Sequence, residues 1–258
     1  MIFNVTSPTQ PAPGDAVLSS SFAADGPPSF ELKFLIDAAK SAMISAWARA
    51  SLSPDPHGDP ALAGCYEVST LYLDTPRFDV FHGAKELGGA KFRLRRYGSD
   101  AVVYLERKQR RGDQVHKRRT PVPEKELGRL ESPSSGTDWP GAWFQDEIEA
   151  REFQPACLLT YVRAAYYHPT HKGHLRLTLD RAIRCSIARG WSVERVASAG
   201  AGLLAEDQMV CELKFRETMP QEFKQLVAQA GLTAGRFSKY RQACRATGLV
   251  NEEEARDA

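Results

Sequence analysis

The stretch Phe30-Glu31-Leu32-Lys33-Phe34 returns almost unchanged as Cys211-Glu212-Leu213-Lys214-Phe215. Side chains alternate faces along an extended strand, so Glu31 and Lys33 share one face while Phe30, Leu32 and Phe34 take the other. In the second copy Glu212 and Lys214 lie opposite Cys211, Leu213 and Phe215. Two short copies do not establish an internal repeat. They raise a physical question: which sheet has one apolar face and another lined with paired opposite charges?

The same alternation recurs along the chain. Strands are predicted at 30–36, 69–76, 90–97, 101–109, 113–121, 157–168, 173–185 and 207–215. Gly98-Ser99-Asp100 and Arg111-Gly112-Asp113 suit hairpin turns between the third, fourth and fifth of these. Asp37 is placed to N-cap a helix through 38–50, and further helices are expected at 77–87, 142–152, 221–230 and 236–246. The Pro- and Gly-rich 53–60, the polar 122–141 and the Gly/Ala/Ser-rich 189–206 read as loops. Hairpin-joined strands with separate helices give an α+β chain, an antiparallel sheet or barrel with peripheral helices. Residues 1–28, rich in Pro, Ser and Ala, read as a flexible leader, and 247–258 as a C-terminal tail.

Composition limits the function classes. The chain has 258 residues, 42% hydrophobic and 26% charged, with a net charge of +2. That balance suits a globular protein with a sizeable core and gives no electrostatic case for nucleic acid or a membrane surface. The five cysteines are scattered, without a CxxC pair, and the six histidines lack metal-ligand spacing. A zinc site or disulfide framework is therefore not expected, and a reducing, cytoplasmic setting is. Residues 1–28 hold no lysine or arginine and no long apolar run, so no secretory signal is read, nor is any membrane span.

The charges are placed unusually. Lys91, Arg93, Arg95 and Tyr97 share a face against Phe92 and Leu94; Glu106 and Lys108 share one with Tyr104 against Val103 and Leu105. Lys117 and Arg119 align, as do Arg163 with Tyr161, and Arg176 with Thr178 and Asp180. A solvated amphipathic sheet is the bland explanation for any one strand. Across the set, cations outnumber carboxylates, and a barrel turned inside out accounts for this better: helices cover an apolar outer wall, and the lumen is wet and ionic. Crowded like charges become tolerable when a polyanion fills the space. Arginine and lysine suit phosphate oxygens, and the minority carboxylates suit a hard divalent cation.

With these residues in hand, the chain resembles the VTC domain, the catalytic domain of the vacuolar transporter chaperone polyphosphate polymerase, among the triphosphate tunnel metalloenzymes. The motifs run in order through 29–246: FELKF, STLYLDTP, KFRLRRYG, YLERK, HKRR, YVRAAYY, LRLTLDRAI, ELKF and RFSKY. The resemblance implies a closed antiparallel tunnel of about eight strands and transfer of the ATP γ-phosphate to a growing polyphosphate chain, with Mn²⁺ or Mg²⁺. It gives Lys33, Arg93, Arg95, Lys108, Arg163 and Glu212 as candidate catalytic residues. Lys91, Lys117, Arg119, Arg176, Lys214, Arg236, Ser238 and Lys239 are the candidate substrate-binding set. Glu212 is the leading metal candidate, with Glu31 and Glu106 beside it.

Two positions depart from the pattern. Arg236 stands where the family commonly has lysine, and Ser29 stands where the related CYTH enzymes have the first glutamate of Glu-x-Glu-x-Lys. Asp180 is expected to order Arg163 or Arg176 rather than touch metal, and Tyr72 and Asp74 read as structural. The alternatives are a tripolyphosphate or nucleoside triphosphate hydrolase, a polyphosphate- or inositol-phosphate-binding module, or a regulatory subunit without catalysis. A tunnel open at both ends would let product leave, and a separately encoded membrane subunit is the expected partner.

Overall fold

The computed structural model describes residues 26–131, 138–168, 175–194 and 200–251. The strands are β1 (Gly26–Ile36), β2 (Ser53–Pro54), β3 (Tyr66–Asp74), β4 (Ala90–Tyr97), β5 (Val102–Arg111), β6 (Gln114–Pro123), β7 (Gln154–Tyr167), β8 (Arg176–Ile187), β9 (Ala201–Gly202) and β10 (Met209–Phe215). The helices are α1 (Ala38–Ser51), α2 (Asp79–His82), α3 (Ala142–Glu149), α4 (Gln221–Gln229) and α5 (Lys239–Ala246).

The strand order is β2-β7-β3-β4-β5-β6-β1-β10-β8-β9, and a further ladder between β7 and β8 closes the sheet. All the ladders are antiparallel. The result is an eight-stranded closed barrel, with the two-residue β2 and β9 attached to the long β7 and β8.

The two ELK copies are neighbours. β1 pairs with β10 so that Glu31 lies opposite Lys214 and Lys33 opposite Glu212. Antiparallel pairing of one motif with itself puts each carboxylate across from an ammonium, the favourable cross-strand arrangement. Outside the barrel, Phe30 stacks on Phe215 with centroids 5.6 Å apart.

The outer wall carries two apolar cores. The smaller joins Phe34, Ile36, Leu177, Leu179, Cys211 and Leu213 to Ile44 and Ala48 of α1 and Phe223 and Leu226 of α4. Asp37 caps α1 as expected, accepting from the Lys40 amide at 2.8 Å. The larger core gathers Leu71, Phe92, Leu94, Val103, Leu105 and Leu158 against Phe81 of α2 and Phe144 and Ile148 of α3, and continues to Tyr240, Ala243 and Cys244 of α5. Each fully buried leucine, isoleucine, valine or phenylalanine among them contributes on the order of 1.5–3 kcal/mol. Cations that alternation turns outward are matched there: Arg96, fully buried, pairs with Glu124, Arg107 with Glu147 at 3.1 Å, and Arg118 stacks 4.0 Å over Trp143.

The structure differs from the sequence expectation in places. The helix expected over 77–87 splits, because Gly83 (φ 73°) ends α2 and a single 3₁₀ turn, Lys85–Leu87, follows. The polar stretch 122–141 holds a 3₁₀ run, Glu124–Leu130, with Leu127 and Leu130 buried three apart. β1 begins at Gly26, inside the expected leader, whose residues 1–25 lie outside the described residues. At the other end, residues assigned to a tail dock: the Thr247 hydroxyl donates to the Ala243 carbonyl at 2.7 Å, and Val250 joins the larger core. Residues 252–258 lie outside the described residues, as does most of the expected 168–173 turn.

Candidate functional site

The lumen residues sort into rings when the register is followed around the staggered barrel. One mouth is ringed by Tyr66 (β3), Tyr97 (β4), Tyr104 (β5), Arg119 (β6) and Arg176 (β8). Below it lie Arg95, Glu106, Lys117, Arg163 and Lys214. The next ring holds Arg93, Lys108, Glu31, Glu212, Asp180 and Tyr161. Lys33, Lys91 and Tyr72 form the innermost ring.

The segment from Phe237 to Tyr240 crosses that inner end. Lys33 Nζ donates to the Phe237 carbonyl at 3.3 Å, and Lys91 Nζ to Ser238 Oγ at 3.1 Å. Lys239 Nζ reaches Asp180 Oδ2 at 2.7 Å, and the Tyr240 ring stacks on Tyr72 at 5.3 Å. The Tyr240 hydroxyl donates to Asp74, which also accepts from the Val80 and Phe81 amides and so caps α2. One segment thus touches β1, β3, β4 and β8 at once, and the expected passage through both ends is spanned there. Ser238 doubles as N-cap of α5.

Two buried carboxylates act as counter-charges. Glu106, with no exposed surface, has Arg93 Nε at 2.7 Å, Lys117 Nζ at 2.5 Å, Arg119 Nε at 3.4 Å and Arg95 Nη1 at 3.8 Å. Asp180 takes Arg163 in a two-pronged pair, 2.6 and 2.8 Å, together with Lys239. Of the two arginines expected for Asp180, Arg163 is the one held. Arg176 instead donates from Nη2 to Asp55 Oδ2 at 2.6 Å and to the Tyr66 hydroxyl at 2.9 Å.

Glu31 pairs with Lys108, and Glu212 lies 3.7 Å from Lys33 Nζ. These two glutamates are diagonal neighbours across the β1–β10 ladder. The candidates Lys33, Lys91, Arg93, Arg95, Lys108, Lys117, Arg119, Arg163, Arg176, Lys214, Ser238 and Lys239 all come together in the lumen or at its ends. Arg236 does not: it is exposed and lies outside this network.

Carboxylates and phenols record the same cation excess. Burial alone would raise Glu106, yet Lys117, Arg93, Arg95 and Arg119 hold it well below the usual carboxylate range. Asp180 is held at about 2 against burial by Arg163 and Lys239. Glu212 is likewise held below its ordinary range against burial, by Lys33, Lys108, Arg163 and Lys239. Burial pushes Lys91 and Lys117 down to about 8. Tyr97 falls to about 7 and Tyr72 to about 8: burial opposes both shifts, and neighbouring cations, Arg95 foremost at Tyr97 and Arg93 at Tyr72, outweigh it.

These shifts predict a pH dependence. Between about 8 and the unfolded lysine value of 10.5, Lys91 and Lys117 have lost protons that the unfolded chain still holds, so their contribution to stability rises with pH across that window. A bound polyanion reverses the depression and re-protonates lysines and phenols. Binding of a probe polyanion such as tripolyphosphate near pH 8 is therefore expected to take up protons and to weaken as pH rises from 8 to 10. Calorimetry in two buffers of different ionisation enthalpy checks this; proton release would contradict it.

Among the described residues no group of three His, Cys, Asp or Glu side chains is placed to hold a metal. Mg²⁺, however, is ordinarily held by one or two carboxylates plus substrate phosphates and water, and Glu31 with Glu212 fits that donor set. Glu106 fits it poorly: it has no exposed surface, and Arg93, Arg95, Lys117 and Arg119 all lie within 3.8 Å of its oxygens. Sequence reasoning missed Asp55, which sits in a loop without periodicity, and Tyr66, just outside the predicted strand. Parity places Tyr97 and Tyr104 on the faces of Arg95 and Glu106, but sequence reasoning named neither as a site candidate.

Comparison with known proteins places this barrel. A candidate adenylate cyclase of Bacillus halodurans is 12% identical, with 81% of this chain and 93% of that one covered and a TM-score of 0.50. A candidate adenylyl cyclase of Hippeastrum, described as having a dominant triphosphatase activity, is 17% identical over 84% and 93% of the two chains, with a TM-score of 0.46. A Pyrococcus horikoshii protein is 13% identical over 83% and 96%, with a TM-score of 0.46. The first of these shows the shared fold. A search of curated proteins finds no match. The VTC domain family model matches residues 29–247, which span the closed barrel and its cationic lumen. On that match the chain belongs to the VTC domain family of triphosphate tunnel metalloenzymes.

Proposed function

We propose that this chain is an ATP-dependent polyphosphate polymerase. Family membership supports the general chemistry, phosphotransferase-type activity on triphosphates. The observation that carries the finer reading is the unbroken cationic lining. Lys91, Arg93 and Arg95 follow one another on a single strand face and span ~13 Å, and cations from β1, β5, β6, β7, β8 and β10 face them.

A terminal phosphate oxygen of the acceptor chain forms the new P–O bond to the γ-phosphorus. The bond from γ-phosphorus to the β,γ-bridging oxygen breaks, and ADP leaves with that electron pair. No side chain needs to be a nucleophile. Arg93, Arg95, Lys108 and Arg163 hold the phosphates in line and offset the charge that moves to the leaving group. Glu106 and Asp180 fix the arginines in place, so little reorganisation accompanies the transfer. Glu212 and Glu31 would hold Mn²⁺ or Mg²⁺, which when bound polarises phosphate oxygens as a Lewis acid.

Among the described residues no helix is long and apolar enough to cross a membrane. A separately encoded membrane subunit is the partner this reading calls for, and the five free thiols suit a cytoplasmic enzyme. The deciding experiment is incubation with ATP and Mn²⁺ or Mg²⁺, followed by sizing of the product. Chains of many phosphates are expected. Phosphate or pyrophosphate alone would make the chain a hydrolase instead, and no turnover at all would make it a binding module.

A further inference from the structure

The two ends of the lumen differ in chemistry. At the inner end the aromatic faces are taken: Tyr72 is stacked on Tyr240, and the Tyr161 ring carries Arg163 at 5.3 Å and Lys239 at 5.1 Å. What remains there is ammonium groups, Lys33 and Lys91. The other mouth is built of phenol rings in mutual contact. Tyr66 meets Tyr97 edge-on at 5.9 Å, and Tyr97 meets Tyr104 at 5.7 Å. The Arg119 guanidinium lies 3.4 Å over the Tyr104 ring and 5.1 Å from Tyr97, and about a third of its side chain, 35%, is exposed.

A guanidinium stacked on one ring presents its second face to a further flat π-system, which a nucleobase supplies and a phosphate does not. We propose that this tyrosine mouth, with Tyr104 and Arg119 at its centre, is the nucleobase subsite that orients the triphosphate inward. The proposal rests on ATP being the substrate. It fixes the nucleotide's direction. With the base on the Arg119–Tyr104 stack, successive phosphates meet Arg95 and Lys117, then Arg93 and Lys108, where Glu31 and Glu212 lie. The reverse orientation would set a neutral base among Lys33, Lys91 and Lys239 and leave the phosphates at a mouth of phenol rings whose two arginines, Arg119 and Arg176, already face Glu106 and Asp55.

The test is binding rather than turnover, so it stands apart from the question of polymer or hydrolysis product. Affinities are measured for a non-hydrolysable ATP analogue, for ribose 5-triphosphate without a base, and for inorganic tripolyphosphate. Wild type is expected to prefer the ATP analogue over ribose triphosphate by about tenfold, a typical stacking increment. Tyr104→Ala should remove that preference and leave tripolyphosphate affinity within about twofold, while Tyr104→Phe, which keeps the ring, should restore it. Equal affinity of wild type for the nucleotide and the base-free triphosphate would overturn the proposal even if Tyr104→Ala failed to fold. So would Tyr104→Ala weakening the ATP analogue and tripolyphosphate alike. In either case product sizing would still decide the polymerase reading independently.

Discussion

Glu212→Gln is expected to lower metal-dependent ATP turnover by at least about 100-fold while polyphosphate binds as tightly as in wild type, or more tightly. Glutamine nearly matches the shape of glutamate, so the β1–β10 ladder keeps its register. What is lost is the anionic oxygen a hard cation requires. Lys33, Lys108, Arg163 and Lys239, which now hold Glu212 below its ordinary range, would be left with one negative charge fewer and would favour an incoming polyanion more. Opposite movements in turnover and anion affinity distinguish this from a structural ion pair, whose loss would lower both together. Melting temperature, polyphosphate affinity and ATP turnover in Mn²⁺ and in Mg²⁺ are the measurements. Wild-type turnover in both metals would remove Glu212 from the metal site.

Much of this could be read from parity. A strand with Lys91, Arg93 and Arg95 on one face and Phe92 and Leu94 on the other can satisfy both faces only if one is covered and the other is wet or filled with counter-charge. Seven of the eight predicted strands carry cations on one face, and that pattern gave the barrel and the lumen membership of nearly all the candidate residues. The relation of the ELK copies to each other was not legible. That they pair antiparallel, Glu31 opposite Lys214, depends on β1 closing against the last barrel strand, a contact far apart in sequence.

Nor could parity show which carboxylates are spent as counter-charges. Glu31, Glu106 and Glu212 look alike along their strands, and only the stagger of the closed barrel surrounds Glu106 with β4 and β6 cations while leaving Glu31 and Glu212 as diagonal neighbours. The crossing of the inner end by Phe237–Tyr240 was hidden for the same reason. The RFSKY motif marks those residues, but not the four strands that they touch.

That difference among the glutamates yields the second large expected effect. Glu106→Gln should cost about 3–5 kcal/mol of stability, the usual consequence of removing one partner from a buried ionic cluster. For a chain of this size that corresponds to a fall in Tm of roughly 10 °C. The reason is local: Arg93, Arg95, Lys117 and Arg119 converge on this one fully buried carboxylate, and an amide leaves their charges facing one another. Filling the lumen should restore part of the loss, because an anion that binds only the folded state stabilises it in proportion to its affinity. Tripolyphosphate is therefore expected to raise the Tm of Glu106→Gln by more degrees than it raises that of wild type. If Glu106 were instead a metal ligand, the variant would melt like wild type in metal-free buffer and lose only turnover. Thermal melts of both proteins, with and without tripolyphosphate and in the presence of a chelator, separate the two roles. The expected pattern is a less stable variant, more strongly rescued by anion, because a carboxylate serving as counter-charge does in the empty lumen what phosphate does in the filled one.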